Sequence, residues 1–190
     1  MELVWPAPPY LASYVTALMR GWSPDNIRGE AAAREELDLI ARDPDAFCAR
    51  LVDREAKGPP IELPDGSLVR RLPGYRRWLW DGEICGTIGL RWQPGTSALP
   101  SYVLGHIGYS IVPWKRGQGY ATRALALLLD DARGEGLEYV ELTCDASNAA
   151  SQRVITANGG ALVERFVKPP QFGGHESLRF RIPLVPGDGC

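Results

Sequence analysis

The spacing of apolar and polar positions changes period several times along the chain, and each change marks an element. Leu3 to Trp5 predicts a short strand and Leu11 to Met19 a short helix. Glu30 to Ala41 is built from alanine, glutamate and leucine with an apolar stripe at Leu37 and Ile40, which predicts a helix. Asp43 as N-cap with Pro44 at the first helical position predicts a second helix, running as far as Lys57-Gly58. From Pro59 to Gly74 the turn sequences Pro64-Asp65-Gly66 and Pro73-Gly74 predict loop or irregular hairpin. The period then falls to two. Tyr75 to Trp80 and Glu83 to Arg91, joined by Asp81-Gly82, predict an antiparallel hairpin with a two-residue turn. Tyr102 to Val112 predicts a strand stopped by Pro113. In Gly119 to Arg133, the residues Ala121, Leu125, Leu128, Leu129 and Ala132 share one helical face. Leu137 to Cys144 alternates as a strand, and the resulting strand-helix-strand unit predicts parallel strands with a right-handed crossover. Ala149 to Ala157 predicts a short helix ended by Asn158-Gly159-Gly160, and two strands, Ala161 to Lys168 and Ser177 to Leu184, close the sheet.

Composition narrows the function classes. The chain has 190 residues, enough for one domain over 1–190 with a single sizeable core, and 45% hydrophobic with 23% charged residues is ordinary for a globular protein. A net charge of -2 gives no basic field for nucleic acid. The apolar run Ala124 to Leu129 is too short to span a bilayer, and the opening Met1-Glu2-Leu3-Val4-Trp5-Pro6 carries no secretory pattern, so the expected compartment is the cytoplasm. Cys48, Cys85, Cys144 and Cys190 form no Cys-x-x-Cys pair and there are two histidines, so buried reduced thiols are expected and no metal site. The tryptophans, including Trp78, Trp80 and Trp92, are expected mostly in the core, and Glu83 and Glu141 as exposed strand carboxylates.

The stretch from Ile111 to Thr122, Ile-Val-Pro-Trp-Lys-Arg-Gly-Gln-Gly-Tyr-Ala-Thr, lies between the end of a strand and the start of a helix. Two glycines bring backbone close to a ligand, and the first amides of the helix have no internal partners, so the stretch suits phosphate oxygens, with Lys115 and Arg116 adding charge. A structural turn explains a lone Gly-x-Gly pair equally well. A dinucleotide fingerprint fails because Thr122 holds the third glycine position and Pro113 to Arg116 separate the strand from the first glycine. A P-loop fails because no Gly-Lys-Ser or Gly-Lys-Thr follows.

Arg116-x-x-Gly119-x-Ala121 resembles the Arg/Gln-x-x-Gly-x-Gly/Ala signature of the GCN5-related N-acetyltransferases, and Asn148 to Gly160 resembles their Asn-x-x-Ser segment with its closing glycine. The resemblance covers roughly residues 30–184. Within the superfamily, His106 to Ile111 followed by the glycine loop looks most like an uncharacterised branch of predicted acetyltransferases. It implies an α/β (α+β) fold, the acyl-CoA N-acyltransferase fold, with a central mixed and mostly antiparallel twisted sheet flanked by helices. It also implies acetyl-CoA as co-substrate, no metal, and a small-molecule or peptide amine as acceptor, and it leaves a homodimer open. Amides of Gly117, Gln118, Gly119, Tyr120, Ala121 and Thr122, with Arg116, would bind the diphosphate. Ile111 and Val112 would pair with the pantetheine arm, the Val112 amide would face the acyl oxygen, and Asn148 and Ser151 would touch the arm from the other side. Ile155 stands where the family commonly has a tyrosine acid, which opens the alternative of a non-catalytic acyl-CoA sensor or scaffold. Candidate catalytic groups are then His106, which titrates near neutrality and lies opposite Ile107, Tyr109 and Ile111 by strand alternation, and Tyr109 if the other face lines the cleft. His175 is expected in a solvated loop.

Overall fold

The computed structural model describes residues 1–63 and 65–184. Its elements, in order, are β1 (Glu2–Val4), α1 (Pro8–Met19), α2 (Glu30–Arg42), α3 (Pro44–Arg50), β2 (Val52–Asp53), β3 (Ile61–Glu62), β4 (Leu68–Val69), β5 (Gly74–Trp80), β6 (Ile84–Arg91), β7 (Ile107–Ile111), α4 (Tyr120–Gly134), β8 (Tyr139–Asp145), α5 (Ala149–Thr156), β9 (Ala161–Val167) and β10 (Glu176–Pro183). Asp43 caps α3 through Ala46 N–H, as its position before Pro44 predicts. The helix stops at Arg50, well short of Lys57, because Val52 and Asp53 leave it to pair with Tyr75 and Gly74. The hairpin turn also differs: a bulge between Leu79 and Trp80 pairs Trp80 with Ile84, so three residues, Asp81 to Glu83, make the loop instead of two. The strand expected from Tyr102 shrinks to Ile107–Ile111.

The central sheet is realised as two antiparallel sheets. One runs β1-β5-β6-β7 with β2 added beside β5, and the other runs β8-β10-β9. On one face of the first sheet sit α1, α2 and α3, where Tyr14 stacks on Trp78 at 4.4 Å and Trp22, Phe47 and Ile84 complete a cluster. On the other face α4 buries Ala124, Leu125, Leu128, Leu129 and Ala132 against Leu79, Ile88 and Leu90, and Val140, Leu142 and Phe180 join that core from the second sheet. A fully buried leucine such as Leu125 or Leu128 contributes about 1.5–3 kcal/mol, which secures α4 between the sheets.

β7 and β8 share no ladder. The two sheets touch just before β7, where His106 N–H donates to Glu141 O at 2.8 Å and Glu141 N–H donates to His106 Nδ1 at 2.9 Å. Glu141 is buried, not exposed as expected, because its carboxylate accepts from Arg179 at 3.0 Å and from Arg181 at 2.7 Å, both on β10. Arg179 also donates to Leu104 O, closing the joint from the side of the first sheet. Beyond this joint the sheets part, and the parallel pairing expected of the strand-helix-strand unit is replaced by a split. Cys48, Cys85 and Cys144 are free and buried as expected, whereas Cys190 lies outside the described residues. Trp78, Trp22 and Trp92 are buried, and Trp5 is 43% exposed.

Candidate cofactor site at the split between the sheets

The glycine loop connects β7 to α4 by way of a short 3-10 turn at Pro113–Lys115. Gly117 and Gly119 sit at φ 76° and 77°, and a Cβ at either would meet nothing within 4 Å. Their role is therefore conformational, since the left-handed backbone costs other residues about 1–2 kcal/mol. Gly119 is the N-cap of α4 and offers no side chain. Arg123 is the first residue whose amide is satisfied, by Gly119 O at 3.0 Å. The amides of Gly117 to Thr122 thus have no backbone acceptor among the described residues, which leaves a run of donors at the positive end of a 15-residue helix.

The loop is held from both sides by one carboxylate. Lys115 Nζ donates to both oxygens of Asp81, and Tyr120 OH donates to Asp81 Oδ2. The two donors to Asp81, Tyr120 OH and Lys115, hold its pKa well below the usual carboxylate range against the opposing effect of burial. Lys115 also pairs with Glu83 at 2.9 Å, so its charge is engaged on the β5–β6 turn and not at the run of free amides. Arg116 is the loop cation left at the cradle. It is exposed, and its Nε donates to Ile111 O at 3.1 Å. Gln118 Nε2 donates to Trp114 O at 3.4 Å.

Backbone polarity along β7 alternates, and its register is fixed by β6. Val112 N–H donates to Cys85 O at 3.0 Å, and Gly86 pairs with Ile111, so Val112 and Ser110 direct their backbone groups toward β6. Tyr109 and Ile111 direct theirs into the split. Two contacts agree with this parity: Asn26 Nδ2 donates to Tyr109 O at 3.0 Å, and Arg116 donates to Ile111 O. The expected role of Val112 is corrected accordingly, because its amide is already bonded within the sheet and its side chain is fully buried. Ile111 keeps its place on the open edge and Tyr109 joins it.

Side-chain parity separates the two faces of this edge. Tyr109 and Ile111 lean toward α4 and α5. The Tyr109 hydroxyl spans the split to Ser151 Oγ at 2.7 Å. Burial pushes the phenol up to about 12, although the Ser151 hydrogen bond acts the other way. Asn148 caps α5, its Oδ1 accepting from Ser151 N–H at 3.0 Å, so the Asn-x-x-Ser spacing serves the helix start directly. On the opposite face, Ser110 is covered by the α1–α2 loop, with Trp22 Nε1 donating to its Oγ at 3.0 Å and that hydroxyl donating to Ser23 O at 2.9 Å.

His106 does not reach the split. Its exposure is 0%, Nδ1 is occupied by Glu141 N–H, and Nε2 is buried without a hydrogen bond of normal geometry. Burial lowers its pKa to about 4, so it is a neutral residue of the joint and not a base facing a substrate. Ile155 is likewise fully buried, and a Cβ on Gly160 would lie 2.4 Å from its Cγ2. The position the resemblance assigns to a tyrosine points into the core here. His175 is exposed in its loop. Sequence reading missed Asn158, whose Nδ2 donates to Thr122 O at 3.2 Å and Val154 O at 2.8 Å and so ties α5 to the first turn of α4. A concavity of about 500 Å³ lined by Arg54, Arg70, Arg71 and Tyr102 lies by Trp92, at the other end of the β5–β6 hairpin, and includes none of these residues. Among the described residues there is no cluster of metal-ligating side chains and no helix long and apolar enough to cross a membrane.

A strand edge opened by a split, next to a glycine loop with unpaired amides, defines a class of site made for an extended ligand with a phosphate at one end. Comparison with known proteins gives the family of the chain. The acetyltransferase (GNAT) domain profile matches residues 66–161, just over half of the chain, and the chain belongs to this family. Among curated proteins, none matches it in sequence. Among solved structures it is similar to the microcin C7 self-immunity acetyltransferase in complex with acetyl-CoA and AMP, at TM-score 0.61 and 12% identity over 95% of this chain and 91% of the other. It is also similar to a ribosomal L7/L12 α-N-protein acetyltransferase in complex with coenzyme A, at TM-score 0.63 and 13% identity over 95% and 92% of the two chains. A third is an acetyl transferase from Salmonella typhimurium that modifies the N-terminal serine of L7/L12, at TM-score 0.62 and 14% identity over 95% and 93%. At these identities the structures establish the acyl-CoA N-acyltransferase fold, as expected from the sequence.

Proposed function

We propose that the chain transfers an acetyl or other short acyl group from acyl-CoA to a primary amine by direct attack on the thioester. The supporting observation is the run of unpaired amides from Gly117 to Thr122 beside the open edge of β7. The diphosphate fits those amides with Arg116 alongside, and the pantetheine arm fits the edge as an added strand. Arg116 and Asn26, which now bond the carbonyls of Ile111 and Tyr109, are exchangeable partners for groups on that arm. An arm running back along β7 from the loop meets Ile111 first and Tyr109 second, so the Tyr109 amide takes the place beside the acyl oxygen, where a donor is typically worth about 3 kcal/mol. Ser151 and the capping Asn148 face the arm from α5.

Acyl transfer expels a thiolate, and Tyr109 OH with Ser151 supplies the polar group that Ile155 does not. A phenol near 12 is a weaker acid than an ordinary thiol near ~8.5, so complete proton transfer would be roughly 5 kcal/mol uphill. Its role is to remain neutral and donate a hydrogen bond to the departing sulfur, with the proton arriving from solvent.

Calorimetry with CoA tests the cradle first. Parent protein should bind CoA, and Arg116→Glu should weaken binding about tenfold or more by reversing charge at the diphosphate. Absence of any heat would remove the assignment. Release of free thiol with an amine panel then separates enzyme from sensor.

A further inference from the structure

The face of the first sheet away from α4 carries an opening that the proposed cofactor site does not use. Of the two β7 residues on this face, Ser110 lies under Trp22, whereas Gly108, one residue from Tyr109, is exposed. Gly108 pairs with Gly89, and Gly89 with Arg76, so two glycines floor a shallow row across β5, β6 and β7. The single heavy atom within 4 Å of a Cβ built on Gly108 is Nη2 of Arg91, at 3.9 Å. Arg91 therefore lies over the gap, within one strand step of the Tyr109 amide.

Charge balance sets this arginine apart from the other strand arginines of the described residues, all of which are paired. Arg76 pairs with Glu36 at 2.8 Å, Arg77 with Asp131 at 3.1 Å, and Arg179 and Arg181 share Glu141. Among the described residues Arg91 has neither an ion pair nor a side-chain hydrogen bond. Its side chain is open to solvent, yet burial among protein atoms, and then the nearby Arg76, lower its pKa, with Asp25 opposing. A guanidinium with five donors free of protein partners among the described residues, beside a second cation, favours an anion.

Resting on the acetyl-transfer reading above, we infer that Arg91, over the Gly89–Gly108 floor, binds an acidic group of the acceptor, so that the substrate is a small amine carrying a carboxylate or phosphate. With a strand rise of about 3.4 Å per residue, the acid and the attacking nitrogen would be separated by roughly 5–7 Å, a few bonds. Asp25 and Asn26, at the rim, leave the amine end on the Tyr109 side. Arg91 is a specificity-determining residue here and takes no part in holding CoA.

Matched acceptors test this with acetyl-CoA saturating and free thiol as readout: β-alanine against β-alaninamide for a carboxylate, and ethanolamine phosphate against ethanolamine for a phosphate. At least one acidic member should show a kcat/KM tenfold or more above its neutral partner, and the better arm identifies the anion. Arg91→Gln should erase that preference while leaving the KM for acetyl-CoA within twofold. Gly108→Val fills the floor, its Cβ meeting no atom closer than Arg91 Nη2 at 3.9 Å, so it should raise the acceptor KM at least tenfold with the CoA Kd and Tm retained, which separates blockage from misfolding. Equal use of both partners, or a preference that survives Arg91→Gln, overturns the inference. So does an acidic panel that is neither acetylated nor bound by CoA-loaded protein. Failure to bind CoA at all would instead remove the underlying acetyl-transfer reading.

Discussion

The two sides of the β7 edge are built from different materials. On the α4 side the work falls to backbone: glycines at positive φ, amides without partners, and a helix start, all within residues 116–122. On the side of the α1–α2 loop it falls to side chains brought from far along the chain, with Trp22 reaching Ser110 across 88 positions, Asn26 reaching Tyr109, and Arg91 lying over Gly108. A backbone cradle can accept the same cofactor through many changes of surrounding sequence, whereas a side-chain wall changes chemistry with one substitution. On the reading proposed above, cofactor and acceptor fall on opposite sides of one strand.

The largest expected effect breaks the side-chain half. Trp22→Ala removes a buried indole, unseats its bond to Ser110 and uncovers Tyr14, and should cost about 3–5 kcal/mol in urea unfolding. If stability is unchanged, the α1–α2 loop does not form the wall described.

The joint below the split comes next, because it fixes how far the two sheets stand apart. His106 is held at about 4 against an ordinary 6.5, so the unfolded chain takes up a proton that the folded chain refuses. Stability from this group is complete above pH 6.5, declines as pH falls toward 4, and levels below it, for a total of about 3 kcal/mol. In His106→Asn, whose carbonyl can still accept from Glu141 N–H, the decline over that window should vanish in urea midpoints taken at pH 7 and 4.5. An equal decline in both proteins would contradict a buried neutral imidazole.

The smallest effect sharpens the comparison on the edge itself. Tyr109→Phe keeps the backbone and removes the hydroxyl bridging to Ser151, so kcat should fall about tenfold while KM for acetyl-CoA changes less than twofold. A matching rise in KM would recast Tyr109 as a cofactor-binding residue.

How much of this was legible in the sequence follows the same division. The glycine loop, α4 and the cap of α5 rest on contacts between residues a few positions apart, and Arg116-x-x-Gly119-x-Ala121 and Asn148-x-x-Ser151 display them directly. Which residues of β7 face the split was not legible, because parity depends on pairing with Cys85 and Gly86, and a strand read from Tyr102 gives no such anchor. His106 and Glu141 were misread for a related reason: His106 is covered where the second sheet meets it and Glu141 by arginines of the neighbouring β10, and burial by a strand distant in sequence leaves no local period. The overlong α3 overlooked β2, two residues whose only reason to be extended is Tyr75 and Gly74. Arg91 gave one hint, a charge at the end of an apolar strand, which by itself says no more than that the strand ends.

Both feet of the glycine arch, Lys115 before it and Tyr120 after it, rest on the single side chain of Asp81. The arch is consequently set when the protein folds, and on the proposed reading an arriving nucleotide would find donors already aimed. Capture should then resemble rigid docking, paced by diffusion and orientation, with no closing motion to wait for and a small entropic penalty at the moment of encounter.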